Sequence, residues 1–335
     1  MTSSPVKPKI FVARQIFPEG LERLRAVADV DYNDQTAPLS TSDLAVRLAN
    51  VDGALVTGSE KIDVQTLSQA NRLKIVSNIA VGFNNFDIQL LTDKKIFATN
   101  TPEVLTDTTA DMGFLLLMAA ARRLSESEHW LRAGHWKNWS LGGMMGVDIH
   151  HTTIGIMGMG RIGQAIAKRA LAFGMTVIYY NRSRLPEDIE KGCQARYVNK
   201  AELLKTADHV MLVMPYIPEN HHFIGEKELA LMKPTATLIN IARGGIVDEN
   251  ALIDALQNQK IFSAGLDVYE GEPNIHPGLL EVPNIVLAPH IGSATKKTRL
   301  AMMHLAIDNL LFGLNQERPP NLINTELWRQ SSITT

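Results

Sequence analysis

The chain has 335 residues, 45% hydrophobic and 20% charged, which describes a folded protein about twice the usual single-domain size and argues against disorder. Its formal net charge of −2 offers no basic field for nucleic acid, and its single cysteine, Cys193, permits no intrachain disulfide and suits a reducing cytoplasm. The apolar run from Met112 to Ala121, between Asp111 and Arg122, is far short of a membrane span, and MTSSPVKPKIFVAR has no signal-peptide core, so a cytoplasmic protein without membrane partners is expected.

In chain order, the first hundred residues alternate β-rich runs at 9–13, 53–57, 73–79 and 96–99 with amphipathic segments at 18–27 and 42–49. A long helix is predicted over 107–123, with Asp107, Thr108 and Thr109 suited to its first turn. A second alternating series follows, with strands at 153–157, 176–180, 209–214, 237–241, 264–268 and 285–288. Six strands interleaved with helices suit one complete doubly wound domain. A last helix is predicted over 294–315, and the polar tail after Pro319 reads as irregular. The break after the first series falls near Thr101–Pro102.

The segment Gly158-Met159-Gly160-Arg161-Ile162-Gly163 sits between a strand and a helix, with the next strand close behind. In such a βαβ unit the glycines serve a tight turn, close approach to a pyrophosphate and close helix–strand packing. The helix N-terminus offers N–H groups and a positive dipole end to the phosphates. This motif alone allows NAD(P) or another nucleotide-like cofactor such as S-adenosylmethionine. The following strand ends in Asn181-Arg182-Ser183-Arg184, where an NAD-preferring site usually carries an acid. Without that acid, and with Arg182 and Arg184 available for a 2′-phosphate, NADP(H) is the expected preference, with NAD(H) still able to bind.

Three later segments each run from an apolar strand into polar residues: NIARGGIVDE at 240–249, AGLDVYEGEP at 264–273 and PHIGSAT at 289–295. Strand carboxyl ends face the ligand crevice in open α/β sheets, so Arg243, Asp267 with Glu272, and His290 converge on one rim. Singly, each reads as a packing or surface residue; together they read as a site. Adjacent histidines are poorly placed for shared ligation, so His150, His151, His221 and His222 read as solvated loop residues, and no metal site is expected.

With VGFNNFD at 81–87, VLTDTTAD at 104–111 and the glycine turn, these motifs resemble the D-isomer-specific 2-hydroxyacid dehydrogenase family over nearly the whole chain, nearest its glyoxylate/hydroxypyruvate and 2-ketogluconate reductase branches. The resemblance implies an α/β fold of two doubly wound parallel-sheet domains. A Rossmann cofactor domain, 102–288, is inserted into a flavodoxin-like substrate domain, 1–101 plus 289–335. It also implies a hydride-transfer enzyme in which Arg243 grips a 2-keto acid, His290 is the general acid and Glu272 orients and charges the imidazole. Val81, Gly82 and Ser293 would add substrate contacts, and Pro215, Ile241, Asp267 and Gly292 cofactor contacts. A homodimer is implied too, with Trp130, Trp136, Trp139, Met144 and Met145 of the 121–147 arm as its anchors. Other 2-keto acid substrates, or a cofactor-sensing corepressor on the same fold, are the rival readings.

Overall fold

The computed structural model describes residues 7–331, with side chains through Trp328; residues 1–6, on which part of the signal-peptide reading falls, lie outside them. Two compact units divide the chain, one comprising residues up to Leu105 and from Thr295 onward, the other Thr106–Ala294. The crossings therefore lie a few residues beyond Thr101–Pro102 and Pro289. Thr106 already belongs to the helix that opens the second unit, and the loop after Pro289 is hydrogen-bonded into that unit through Asp267.

The first unit begins with β1 (Lys9–Val12), α1 (Pro18–Val27), β2 (Asp29–Tyr32), α2 (Thr41–Leu48), β3 (Gly53–Val56), β4 (Ile75–Asn78), α3 (Ile88–Asp93) and β5 (Phe97–Thr99). Its five parallel strands are ordered β2-β1-β3-β4-β5, the flavodoxin-like arrangement, with Ile10 opposite Gly53 and Gly53 opposite Ile75. Strands β3 and β4 are buried along their whole length, as a parallel sheet covered on both faces requires. Ser40 caps α2 and Asp87 caps α3, each accepting from a backbone N–H in the first turn.

The second unit continues with α4 (Thr106–Ala121), α5 (Leu124–Arg132), β6 (Thr153–Met157), α6 (Arg161–Ala172), β7 (Thr176–Tyr180), α7 (Glu187–Cys193), β8 (Ala195–Tyr197), α8 (Lys200–Thr206), β9 (His209–Leu212), α9 (Glu226–Leu229), β10 (Thr237–Asn240), α10 (Glu249–Gln257), β11 (Ser263–Leu266), α11 (Pro277–Glu281) and β12 (Ile285–Leu287). Seven parallel strands run β12-β11-β10-β9-β6-β7-β8. The order reverses between β6 and β9, the switch point at which a doubly wound sheet opens a crevice. Helix α4 is apolar nearly all round because it packs against α6 on one side and β10 and β11 on another. One core face gathers Phe114, Leu117, Ile156, Ile166 and Tyr179; the other gathers Leu203, Leu212, Leu238, Leu252 and Leu266.

After the second unit, α12 (Lys296–Leu314), capped by Thr295, packs on β3, β4 and β5 of the first sheet through Met303, Ile307 and Leu310. Ser77 of β4 donates to the Ala306 carbonyl at 2.7 Å, a buried tie between sheet and helix. Residues 320–331 are structured where a polar, irregular stretch is expected. Ile323 N–H donates to the Ala98 carbonyl at 2.8 Å, Asn324 Oδ1 accepts from Ala98 N–H at 2.9 Å, and α13 (Glu326–Ser331) follows. Polar side chains here complete a sheet edge, so hydropathy gives no sign of it. Among the described residues, no helix is long and apolar enough to cross a membrane.

Candidate active site

The turn between β6 and α6 has the geometry of a phosphate cradle. Gly158 has φ +104°, and a Cβ on it would lie 2.5 Å from Met214 N, so no other residue fits there without displacing backbone. A Cβ on Gly163 would lie 2.3 Å from the Gly158 carbonyl oxygen, so its absence lets α6 close onto the turn. Gly160 is the N-cap of α6, has no side-chain cap and faces open space, leaving room for an anion at the helix end where Arg161 and Ile162 begin the first turn. These residues fit the pyrophosphate of a dinucleotide.

Asn181, at the end of β7, accepts a hydrogen bond at 2.7 Å from Met159 N–H through Oδ1 and so braces the turn. Beyond it, Arg182 and Ser183 are exposed, whereas Arg184 is engaged. Its Nε and Nη2 donate to the two Glu190 carboxylate oxygens at 2.9 and 2.7 Å, and Tyr179 OH donates to the same carboxylate at 2.5 Å. The Arg184 and Tyr179 hydrogen bonds hold the Glu190 carboxyl down at about 2, and burial together with Glu190 pushes the Tyr179 phenol up to about 12. Of the two arginines, Arg184 is thus the one paired with a carboxylate, and Arg182 forms no ion pair among the described residues. Pro215 is exposed just beyond β9, with its carbonyl accepting from Asn220 Nδ2 at 2.7 Å, and Ile241 is buried beyond β10.

Strands β10, β11 and β12 end side by side and deliver the remaining groups. Arg243 follows β10, and its Nη1 donates to the Ala242 carbonyl at 2.6 Å. Burial pushes the guanidinium below its usual range, while the nearby Glu272 charge opposes that shift. Asn240 fixes the turn by donating to the Arg243 carbonyl at 3.0 Å and accepting from Ala242 N–H at 3.0 Å.

Asp267 follows β11 and is 2% exposed. Its two oxygens accept from Ile291 N–H and Gly292 N–H, both at 2.7 Å. Burial pushes this carboxyl up against the pull of the two N–H groups. Sequence reasoning assigns Asp267 to the cofactor alone and misses this second task, holding the loop that carries His290. The acid and the two loop amides lie 24 and 25 residues apart in the chain, so no local pattern announces the contact.

His290 has φ +53°, an uncommon conformation for a non-glycine residue, within the loop that Asp267 holds. Its Nδ1 lies 2.7 Å from Glu272 Oε1, and Glu272 Oε2 accepts from Tyr269 N–H at 3.3 Å. Burial pushes the Glu272 carboxyl up, but the His290 hydrogen bond and charge outweigh it and keep it below the ordinary range. The second unit thus brings together Arg243, Asp267, Glu272 and His290, with Gly292 and Ser293 next in the loop. A cation, a carboxylate-backed imidazole and a dinucleotide cradle on one sheet edge are the parts for carbonyl reduction with proton donation.

In the first unit, Val81 and Gly82 lie in the loop after β4, where Asn100 Nδ2 and Asn78 Nδ2 donate to their carbonyls at 2.8 and 3.0 Å. Their own N–H groups form no hydrogen bond among the described residues. The structure also brings His221, His222 and Glu270 together, which adjacent histidines in a loop do not suggest.

Residues 114–292 match the family model described as D-isomer specific 2-hydroxyacid dehydrogenase, NAD binding domain. The chain is 46% identical over 326 residues to a glyoxylate reductase of Thermococcus onnurineus, covering 96% of this chain and 97% of that one. Its structure is similar to that of a glyoxylate reductase from Paecilomyes thermophila, with TM-score 0.85, 31% identity, and 96% and 100% of the two chains covered. It is also similar to an NADPH-dependent glyoxylate/hydroxypyruvate reductase of Sinorhizobium meliloti in complex with NADP and malonate, with TM-score 0.84, 33% identity, and 95% and 97% covered. Fold, cradle and likeness together define an oxidoreductase with an NAD-binding domain. The chain belongs to the D-isomer specific 2-hydroxyacid dehydrogenase family.

Proposed function

We propose that this protein reduces small 2-keto acids, chiefly glyoxylate and hydroxypyruvate, to 2-hydroxy acids with NADPH, and that His290 is the general acid. The observation that carries the reading is the Glu272–His290 pair at 2.7 Å with the half-buried Arg243 close enough to feel the Glu272 charge. A carboxylate only accepts hydrogen bonds, so Nδ1 is the proton-bearing nitrogen toward Glu272, and Nε2 is the atom left to protonate a carbonyl oxygen. Arg243 supplies the charge that a keto acid carboxylate needs and polarises the carbonyl. Val81 and Gly82 of the first unit carry N–H groups that pair with nothing among the described residues, which suits them to a substrate carboxylate, and Ser293 carries a hydroxyl suited to the same class of ligand. The reduced nicotinamide, when bound, supplies the hydride.

The absence of an acid at Asn181 and the charge of Arg182 favour a 2′-phosphate, and the NADP-bound relative supports this preference. A homodimer is proposed on the arm after α4. Helix α5 buries no residue in this chain, and Trp136, Trp139, Leu141 and Met145 are 57%, 76%, 86% and 64% exposed. Sedimentation equilibrium at micromolar concentration is expected to give a dimer, and monomer alone contradicts it. NADPH oxidation with glyoxylate, hydroxypyruvate and 2-ketogluconate tests the substrate class. Turnover of the first two above the third supports the proposal, and NADPH binding without turnover of any of them favours a cofactor sensor.

A further inference from the structure

The proposed reaction gives the side chains of His221, His222 and Glu270 no task, and their donor atoms converge. One ligand atom from each lies within 4.8 Å of the others. Neighbouring side chains diverge in an extended backbone, but His222 has φ +50°, and the two rings stack with centroids 3.8 Å apart. His222 Nε2 lies 2.9 Å from Glu270 Oε2, and His221 Nε2 lies 3.8 Å from Glu270 Oε1. The other nitrogen of His221, Nδ1, is 3.3 Å from Tyr216 OH, an outer partner of the kind that fixes a ligating ring. Zinc–ligand bonds of about 2.0–2.2 Å set tetrahedral donors about 3.3–3.5 Å apart, close to the present separations from Glu270, and one imidazole turning out of the stack brings both ring lone pairs onto one ion. Two imidazoles and one carboxylate suit the zinc class and not magnesium, which takes oxygen ligands. A cavity of about 390 Å³ adjoins the cluster on the Glu270 side, lined also by Glu249, Asn274 and His276.

The cluster is tied to both catalytic segments. His222 N–H donates to the Gly245 carbonyl at 2.8 Å. The backbone of Gly244 lies so close to the Tyr269–Glu270 peptide that a Cβ would come within 1.8 Å of Tyr269 C. Gly244 and Gly245 directly follow Arg243, and Glu272 stands two residues beyond Glu270. The geometry points to a divalent transition-metal site of the zinc class at His221, His222 and Glu270, whose occupancy restrains the segments carrying Arg243 and Glu272 and slows turnover. The slowing rests on the proposed keto acid reduction; the binding does not.

The test is a Zn²⁺ titration of the chelator-treated full-length protein against a chromophoric competitor, with NADPH–glyoxylate turnover followed over the same range. One equivalent is expected to bind, to resist excess Mg²⁺ and to persist in His290→Ala. Affinity is expected to fall at least about tenfold in both His221→Ala and Glu270→Gln, each verified as folded by circular dichroism. Turnover of the parent is expected to fall as the site fills, while each variant keeps its zinc-free rate. No saturable binding, or unchanged affinity in both variants, overturns the site; binding with unaltered turnover overturns the restraint. If no 2-keto acid is reduced at any zinc concentration, the functional reading fails and the titration still decides the metal site.

Discussion

Glu272 Oε1 and His290 Nδ1 meet at 2.7 Å although 18 residues and a strand separate them. The His290 hydrogen bond and the charge of the ring hold the carboxyl below its ordinary range despite its burial, so the pair acts as a unit. Replacing Glu272 with Gln removes the charge and keeps the shape. Keto acid turnover is expected to fall about tenfold to hundredfold with little change in the KM for NADPH, as an interaction felt mainly in the transition state requires. Steady-state kinetics with varied NADPH and glyoxylate check this, and a loss confined to KM contradicts it.

Asp267 holds the His290 loop with both oxygens. In Asp267→Asn one oxygen still accepts, while the new NH₂ group faces a backbone N–H and leaves it unpaired. The variant is expected to lose about 1–3 kcal/mol of stability and at least about tenfold in kcat. Urea unfolding and initial rates measure the two effects; a stable variant of parental kcat shows that the loop needs no such anchor.

Cofactor choice is expected to respond to Asn181 and Arg182. Aspartate at 181 keeps an acceptor for Met159 N–H, so the turn survives while a 2′-phosphate is repelled. Asn181→Asp with Arg182→Gln is expected to shift the kcat/KM ratio of NADPH to NADH toward NADH by about tenfold or more. An unchanged ratio removes both residues from cofactor selection.

Glu190 sets an acid limit on stability. Its carboxyl titrates at about 2 in the folded chain, below the ordinary range of about 4.3 for an unfolded glutamate. A depressed folded value gives stability that is fully present above the unfolded pKa and is lost as pH falls from there toward about 2. Thermal unfolding from pH 5 to pH 2 is expected to show a steeper loss of Tm in the parent than in Glu190→Gln. Parallel curves contradict the linkage.

Much of this architecture is legible in the residues. The apolar runs that become β3, β4, β6, β9 and β10 are buried on both sheet faces and announce themselves by composition. Strand β2, DVDY, and strand β8, ARY, lie at sheet edges and carry charges, so hydropathy passes over them. In the site, the glycine turn, Arg243, Glu272 and His290 stand out because strand ends fix where they go. Arg184 is legible as a cation, but its pairing with Glu190 depends on how α7 packs beneath β7, and the meeting of His221 with Glu270 depends on a left-handed residue at His222.

The most direct test of the account is single-turnover NADPH oxidation with glyoxylate in the parent and in His290→Ala, with NADPH binding measured by fluorescence titration of each. NADPH affinity is expected to be unchanged and the chemical step slowed about a hundredfold or more. A His290→Ala protein that oxidises NADPH at the parental rate would contradict it.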